Sequence, residues 1–231
     1  MRIEAVVTAC DIIDLSFQNL LRCLEQVAER RLPDVTERER ISTAMFCWAI
    51  VDQFYALSKL MARFEDKTSQ WLRFQDFTTR ISKMRNSMDH LNNNLGNAGK
   101  RKGSTHPLHG AILYACRSGN GDPELVTFNL GALHHDSHHS PVIDTQMHVA
   151  AEGVSNIVFA AFDSEVDISA LHSDLLLFVV DFNASLEAGT ITHIREQAAL
   201  EGLDADELLN NRVSGTMKAR IRLEIRAAGM P

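Results

Sequence analysis

Residues 36–64, "TERERISTAMFCWAIVDQFYALSKLMARF", carry the strongest helix signal in the chain. Thr36 followed three positions later by Glu39 is a capping-box pattern, in which each side chain bonds the backbone N–H of the other residue, and it predicts the start of a helix. From Ile41 onward the segment is apolar on more than one helical face. A helix with this pattern is buried on several sides. The segment therefore predicts a long helix over 36–64 at the centre of a helical core.

Helical periodicity continues on both sides of this central segment. Apolar residues recur at helical spacing over residues 9–31, and Pro33 follows the end of that pattern. A third helix is predicted over 68–95 from its apolar stripe, with Gly96 as a stop signal. The first half of the chain is thus predicted to consist of three helices.

The second half of the chain changes from helical period to alternation. "AILYACRS" (111–118) and "ELVTFNLGAL" (124–133) flank "GNGDP", a pattern that predicts two antiparallel strands joined by a turn. A third strand is predicted over 154–162. Alternation in "ARIRLEIRA" (219–227) favours a final strand added to the same sheet.

A further helical segment lies between these strands. Asp167 or Ser169 is the predicted N-cap, Gly189 the predicted end, and a short helix near 192–201 is predicted to follow.

The predicted fold class is mainly α, a helical bundle with a small antiparallel β-sheet inserted or appended in the second half. We expect residues 1–105 to form the helical core, and residues 106–231 to pack the sheet and its helices on that core as one domain. A chain of 231 residues is long enough for one sizeable core.

Composition indicates an ordinary globular protein, with 45% hydrophobic and 23% charged residues. The apolar stretch at residues 1–21 is interrupted by Glu4, Asp11 and Asp14, which is not the pattern of a signal peptide or a membrane span. We therefore expect a cytoplasmic location without membrane association.

The four cysteines lie far apart, with no CxxC pair. Free, buried thiols are the favoured interpretation over a disulfide framework or a zinc site. They are Cys10, Cys23, Cys47 and Cys116.

Charge is distributed unevenly along the chain. Between positions 80 and 102 there are six basic residues and one acid, a local charge of +5, so the rest of the chain carries −12 of the total of −7. A basic island on an acidic protein suits a local phosphate contact better than adhesion over the whole surface. A solvated helix end followed by a loop explains the same charges. The basic residues are Arg80, Lys83, Arg85, Lys100, Arg101 and Lys102.

Polar residues gather at the end of the third predicted helix in "SKMRNSMDH", residues 82–90. On a helix Asn86 and His90, four positions apart, lie nearly one above the other, and the long side chain of Arg85 can reach around toward them. Cleavage of an RNA phosphodiester needs a base for the proton of the 2′-hydroxyl and a cation for the charge on the phosphate. Histidine and arginine are suited to these two roles. The same spacing also allows Arg85 to pair with Asp89, which leaves His90 at a solvated helix end.

The sequence "RNSMDH" (85–90), in this helical context, resembles the signature of the HEPN domain superfamily, an arginine followed by a polar residue and, a few positions later, a histidine. The resemblance implies a metal-independent endoribonuclease or an RNA- or nucleotide-binding relative, often a toxin or an antiviral defence component. It implies Arg85 and His90 as catalytic residues, Asn86 as a supporting group and no cofactor. It also implies a homodimer whose two motifs face each other, with an antitoxin protein as a further partner. RNA would contact the basic side chains of Lys83, Lys100, Arg101 and Lys102.

Two alternatives come from other parts of the sequence. The segment "LHHDSHHSP" carries ligand types suited to zinc or nickel, and a metal-binding protein or hydrolase would use them. Its histidines are His134, His135, His138 and His139, with Asp144 or His148 as a further ligand. A non-catalytic oligomeric binding module is the other alternative. The many apolar residues of 41–64 suit burial in a dimer interface as well as burial in the core of one chain.

Overall fold

The computed structural model describes residues 2–30, 35–63, 69–90, 110–117, 122–130, 152–162 and 164–213. The predicted fold class is confirmed, since the chain is mainly helical with one four-stranded antiparallel sheet in its second half. The helices are α1 (Arg2–Glu29), α2 (Glu37–Met61), α3 (Ser69–Asp89), α4 (Ile168–Glu201) and α5 (Ala205–Val213). The strands are β1 (Ala111–Arg117), β2 (Glu124–Asn129), β3 (Gly153–Ala161) and β4 (Ser164–Asp167).

Helix α2 begins where the capping box predicts. The Glu39 backbone N–H donates to the Thr36 hydroxyl at 3.3 Å, and the Thr36 backbone N–H donates to the Glu39 carboxylate at 2.8 Å. Arg30 at the end of α1 pairs with the same carboxylate. These contacts join the end of α1 to the start of α2, and of the described helices these two pack together most extensively.

Helix α1 begins seven residues before the predicted start. The residues that extend it include Val6, which is buried in the core at helical spacing from Ala9 and Cys10. Burial of this face stabilises the additional turns, as expected when tertiary packing supports a helix beyond its local pattern.

One cluster of buried side chains joins the helices to the sheet. It contains residues of α1, α2, α3, β1, β3, β4 and α4. Three phenylalanines at its centre connect three helices: the ring centroids of Phe54 and Phe74 are 5.0 Å apart, and those of Phe74 and Phe178 are 5.4 Å apart. At the edge of the core, Arg40 donates to the Asn129 carbonyl at 2.8 Å and connects α2 to the end of β2.

The strand order is β2-β1-β3-β4, with antiparallel pairing throughout. The predicted hairpin is observed as β1 and β2, with Ala111 opposite Asn129 and Cys116 opposite Glu124. The register of β1 and β3 shifts between Leu113 and Ala115, beside Asn156 with its φ of 54°. Such a bulge removes a backbone group from regular pairing.

The start of α4 is tied to this bulge. The backbone N–H of Ile157 donates to the Ser169 hydroxyl at 2.8 Å. Asp167, one of the two predicted N-caps, ends the unpredicted strand β4 and accepts a hydrogen bond from the Ala170 N–H at 2.8 Å. Strand β4 was missed because its four residues give too little alternation to distinguish them from a cap.

The predicted helix end at Gly189 and the separate helix near 192–201 are wrong. Helix α4 is continuous through Gly189 and ends at Gly202, whose φ of 68° is left-handed and whose N–H bonds the Ala198 carbonyl. A glycine inside an exposed helical segment costs some stability but does not by itself end a helix. Helix α3 ends at Asp89, six residues before the predicted end at 95. Gly96 itself and the predicted strand at 219–227 lie outside the described residues.

Within the described part of the chain, α4 alone is long and apolar enough to cross a membrane by length and composition. Its buried side chains Leu171, Leu175 and Phe178 pack in the common core. The core helix of a globular protein meets the same two criteria.

A pair of glycine substitutions tests the continuity of α4. Gly189→Ala should raise the free energy of unfolding by about 0.5–1 kcal/mol, since alanine is the better helix former and a Cβ there meets no atom within 4 Å. Gly202→Ala should lower it, because the left-handed φ of 68° strains any side chain. Urea titrations followed by circular dichroism measure both. Destabilisation by Gly189→Ala would show that the helix is interrupted there.

Thiol alkylation tests the burial of the cysteines. All four are free; Cys10 and Cys47 are buried, and Cys23 and Cys116 are half-buried. Burial raises the pKa of Cys10 to about 12 and also raises the pKa of Cys47. Because the thiolate is the reactive form, iodoacetamide at pH 8 should modify Cys10 and Cys47 far more slowly in the native protein than in urea. Peptide mass spectrometry measures the modification, and equal native and denatured rates would contradict it.

Candidate active site

The predicted motif lies at the carboxyl end of α3. This helix ends at Asp89, and the backbone N–H of His90 still bonds the Asn86 carbonyl at 3.1 Å. Phe74, Ile81 and Met84 on the other side of the helix are buried in the core. The buried side of α3 therefore holds this end of the helix against the core.

Arg85 is the member of the motif that pairs with two carboxylates. Its side chain is 28% exposed, and its Nε lies 2.6 Å from Asp52 Oδ1 of α2. Its Nη1 pairs with Asp89 Oδ1, one turn further along α3. The predicted pairing of Arg85 with Asp89 is present, with a second carboxylate added from the neighbouring helix. The guanidinium is thus held beside the last turn of α3.

These charges influence one another. Partial burial raises the pKa of the Asp52 carboxyl; the Arg85 guanidinium lowers it, and the negative charge of Asp89 raises it. The ionised cluster of Asp52, Arg85 and Asp89 carries two negative charges and one positive charge, a net charge of −1. The electrostatic environment of Arg85 therefore differs from that of an isolated surface cation.

The other two motif residues, Asn86 and His90, are exposed. Among the described residues, the structure shows no hydrogen bond or ion pair from the His90 imidazole, and no such contact joins it to Arg85. The structure brings together Arg85, Asp52 and Asp89, and it leaves Asn86 and His90 at the solvent-facing end of the same helix.

The predicted nucleic-acid contacts divide into two groups. Lys83 is exposed on α3, two residues before Arg85. Lys100, Arg101 and Lys102 lie outside the described residues.

The histidine-rich segment that carries His134, His135, His138 and His139 also lies outside the described residues, as do Asp144 and His148. Over the ranges that the structure describes, no group of three His, Cys, Asp or Glu side chains is arranged to hold a metal ion.

Sequence reasoning missed the role of Asp52. The available signal is its position as a single acid inside the apolar run "AIVDQFY", residues 49–55. A lone acid in such a run marks a position at the edge of the core, where a cation on a neighbouring helix can pair with it. Neither the periodicity of α2 nor that of α3 identifies that partner as Arg85.

A second polar contact, also unpredicted, joins α1 to α4. His172 is 6% exposed, and its Nε2 lies 2.7 Å from Asp14 Oδ1. Its ring is stacked on Phe17, with centroids 3.8 Å apart and planes at 10°. This contact satisfies a buried imidazole inside the bundle, and we assign it a structural role.

An open groove of about 430 Å³ lies between α1 and α2. No motif residue lines it, and its walls are mainly small and apolar, with a single acid. We attach no chemistry to it. Its lining residues are Glu4, Ala5, Thr8, Ala9, Gln53, Ala56 and Leu60.

Comparison of the chain with protein-family models, with curated proteins and with solved structures found no match. The resemblance to the HEPN superfamily therefore stays a prediction that rests on Arg85, Asn86 and His90 in their helical context.

Removal of Arg85 tests how much its ion pairs stabilise the fold. The side chains of Asp52 and Asp89 are 47% and 51% exposed, so Arg85→Ala should lower the free energy of unfolding by about 1 kcal/mol or less. High salt should reduce the difference by screening. Phe74→Ala is the contrast, because loss of this fully buried ring should cost about 3–5 kcal/mol. Urea titration at two salt concentrations measures these free energies. A large decrease for Arg85→Ala that does not depend on salt would show that Arg85 anchors the fold.

Proposed function

We propose that the carboxyl end of α3 cleaves RNA, with His90 as the general base and Arg85 as the cation that stabilises the phosphate. The observation that carries this proposal is the position of Arg85. Asp52 and Asp89 hold its guanidinium beside the last turn of α3, and the exposed His90 follows that turn directly. A guanidinium held in place before the substrate arrives stabilises developing charge without reorganising during the reaction.

The chemistry uses a nucleophile from the substrate. The His90 imidazole takes the proton of a ribose 2′-hydroxyl, and the 2′-oxygen attacks the adjacent phosphorus. The bond to the 5′-oxygen breaks, a 2′,3′-cyclic phosphate forms, and the departing oxygen takes up a proton from water. Arg85 stabilises the charge that builds on the phosphate oxygens. The reaction requires no metal or cofactor, because the attacking oxygen belongs to the RNA.

Asn86 and Lys83 have supporting roles in this proposal. Asn86 lies one turn before His90 on the exposed side of the helix end, where its amide can hold a phosphate oxygen. Lys83 is an exposed cation on the same helix and can contact the RNA backbone. Lys100, Arg101 and Lys102, which follow α3 in the sequence, are proposed as further contacts to the RNA backbone.

We also propose that the protein acts as a cytoplasmic homodimer, as the family resemblance implies, with an antitoxin protein as an additional partner in a toxin or defence system. Support for the dimer comes from α2, where Ile41 and Met45 are 58% and 56% exposed. They lie on the same helical stripe as Asp52, and exposed apolar side chains beside a site are typical of an interaction surface.

A second candidate function is a non-catalytic binding module. It is favoured by the two carboxylates on Arg85, since an arginine neutralised in this way is typical of a structural ion pair.

Substitution of His90 separates the two functions. His90→Ala should lower the rate of RNA cleavage by about 10²–10⁴-fold through loss of the general base, and Arg85→Ala by about 10²–10³-fold through loss of charge stabilisation. Cleavage of fluorescently labelled oligoribonucleotides in the presence of EDTA measures both. His193→Ala is the matched control, because His193 is an exposed histidine on α4.

Catalysis at α3 requires that His193→Ala cleave as the wild type does and that cyclic phosphate ends be formed. Equal activity of the His90 and His193 variants, or no wild-type cleavage of RNAs of varied sequence and structure, would favour the binding module.

A further inference from the structure

The two carboxylates occupy different edges of the Arg85 guanidinium. Asp52 bonds Nε, on the side edge, and Asp89 bonds Nη1, one of the two terminal nitrogens that form the end edge. Within the described residues Nη2 has no partner. A phosphate that binds an arginine through two parallel hydrogen bonds uses one complete edge. A phosphate on the end edge needs Nη1, so it competes with Asp89 for that nitrogen.

Asp89 lies in an unfavourable electrostatic position. It is the last residue of α3, where the helix dipole places partial negative charge and favours cations over carboxylates. Its negative charge also raises the pKa of Asp52. Arg85 is the only cation that the described structure pairs with it. Asp89 thus depends on the same guanidinium edge that a phosphate would use.

Asp52 differs from Asp89 in its surroundings. The two side chains are similarly exposed, at 47% and 51%, but Asp52 belongs to α2 and lies within two residues of the buried Phe54. Because Asp52 is fixed on another helix of the core, its contact with Nε orients Arg85 from outside α3. Asp89 is the neighbour of His90 at the exposed helix end, where a substrate would arrive.

We propose that Asp89 is an internal competitor of the substrate phosphate for the end edge of Arg85, and that Asp52 is the positioning residue that retains Arg85 when Asp89 is displaced. This inference rests on the proposed function and adds its regulation. The cluster with a net charge of −1 repels free anions. A ligand with further contacts, such as an RNA strand along the basic residues of the helix end, gains additional binding free energy. Only such a ligand displaces Asp89. The site would then be selective for polynucleotide phosphodiesters over free phosphate.

Two isosteric substitutions test the separate roles. Asp89→Asn and Asp52→Asn each remove one negative charge beside Arg85. A purely electrostatic effect would therefore strengthen RNA binding in both variants. We expect Asp89→Asn to bind a labelled 2′-O-methyl oligonucleotide, which cannot be cleaved, about two- to fivefold more tightly than the wild type. Asp52→Asn should bind it no more tightly and should cleave RNA with a lower kcat/KM. Asp52→Glu, which restores a carboxylate, should recover part of that loss. Fluorescence anisotropy at one ionic strength measures the binding.

Two controls isolate the contact with Arg85. Glu187→Gln removes an exposed negative charge on α4 and should leave binding unchanged. In an Arg85→Ala background, Asp89→Asn should no longer strengthen binding, because the edge for which it competes is gone. A gain that persists in that background would reflect general electrostatics and would overturn the competitor role. Tighter binding by Asp52→Asn would overturn the positioning role.

The outcomes also distinguish this inference from the proposed function. If the wild type cleaves RNA and His90→Ala does not, but Asp89→Asn binds no more tightly than Glu187→Gln, the inference fails and the proposed function stands. If the wild type neither cleaves RNA nor binds the oligonucleotide, both fail.

Discussion

Packing of Phe54 of α2 on Phe74 of α3 is the interaction on which the arrangement of the candidate site depends. Their ring centroids are 5.0 Å apart, and Phe74 contacts Phe178 of α4 in turn. This aromatic chain fixes three helices in one core. Asp52 lies two residues before Phe54, so burial of α2 also brings a carboxylate to the surface of α3. The site is therefore a consequence of core packing at the boundary between core and solvent.

The ion pairs of Arg85 affect the stability of the fold and the orientation of the guanidinium to different extents. Its ion pairs join half-exposed groups, and such pairs contribute little to the stability of a fold. Their effect on orientation and local charge is larger, because they decide which guanidinium nitrogens are available. An arginine in this position can take part in substrate binding without being needed for folding, a condition that favours a functional site on a stable scaffold.

The candidate site was predictable in part. The pair of Arg85 and Asp89 follows from their spacing on one helix, and the exposed end with Asn86 and His90 follows from the polar residues of "RNSMDH" (85–90). Asp52 was not predictable as a partner, because it lies 33 positions before Arg85 and no local pattern relates the two. The buried contact between Asp14 and His172 was inaccessible to sequence reasoning for the same reason.

Local patterns in the amino-acid sequence specify the class of the fold, the start of α2 at its capping box and the β1–β2 hairpin. Caps, turns and periodicity depend on residues that are close together in the sequence. They can therefore be recognised from one sequence alone. Three features emerge from tertiary packing instead: α1 extends to residue 2, α4 continues through Gly189, and Asp52 and Asp89 pair with one guanidinium. These features depend on burial and on contacts between distant segments, whose free energies exist only once the chain has folded.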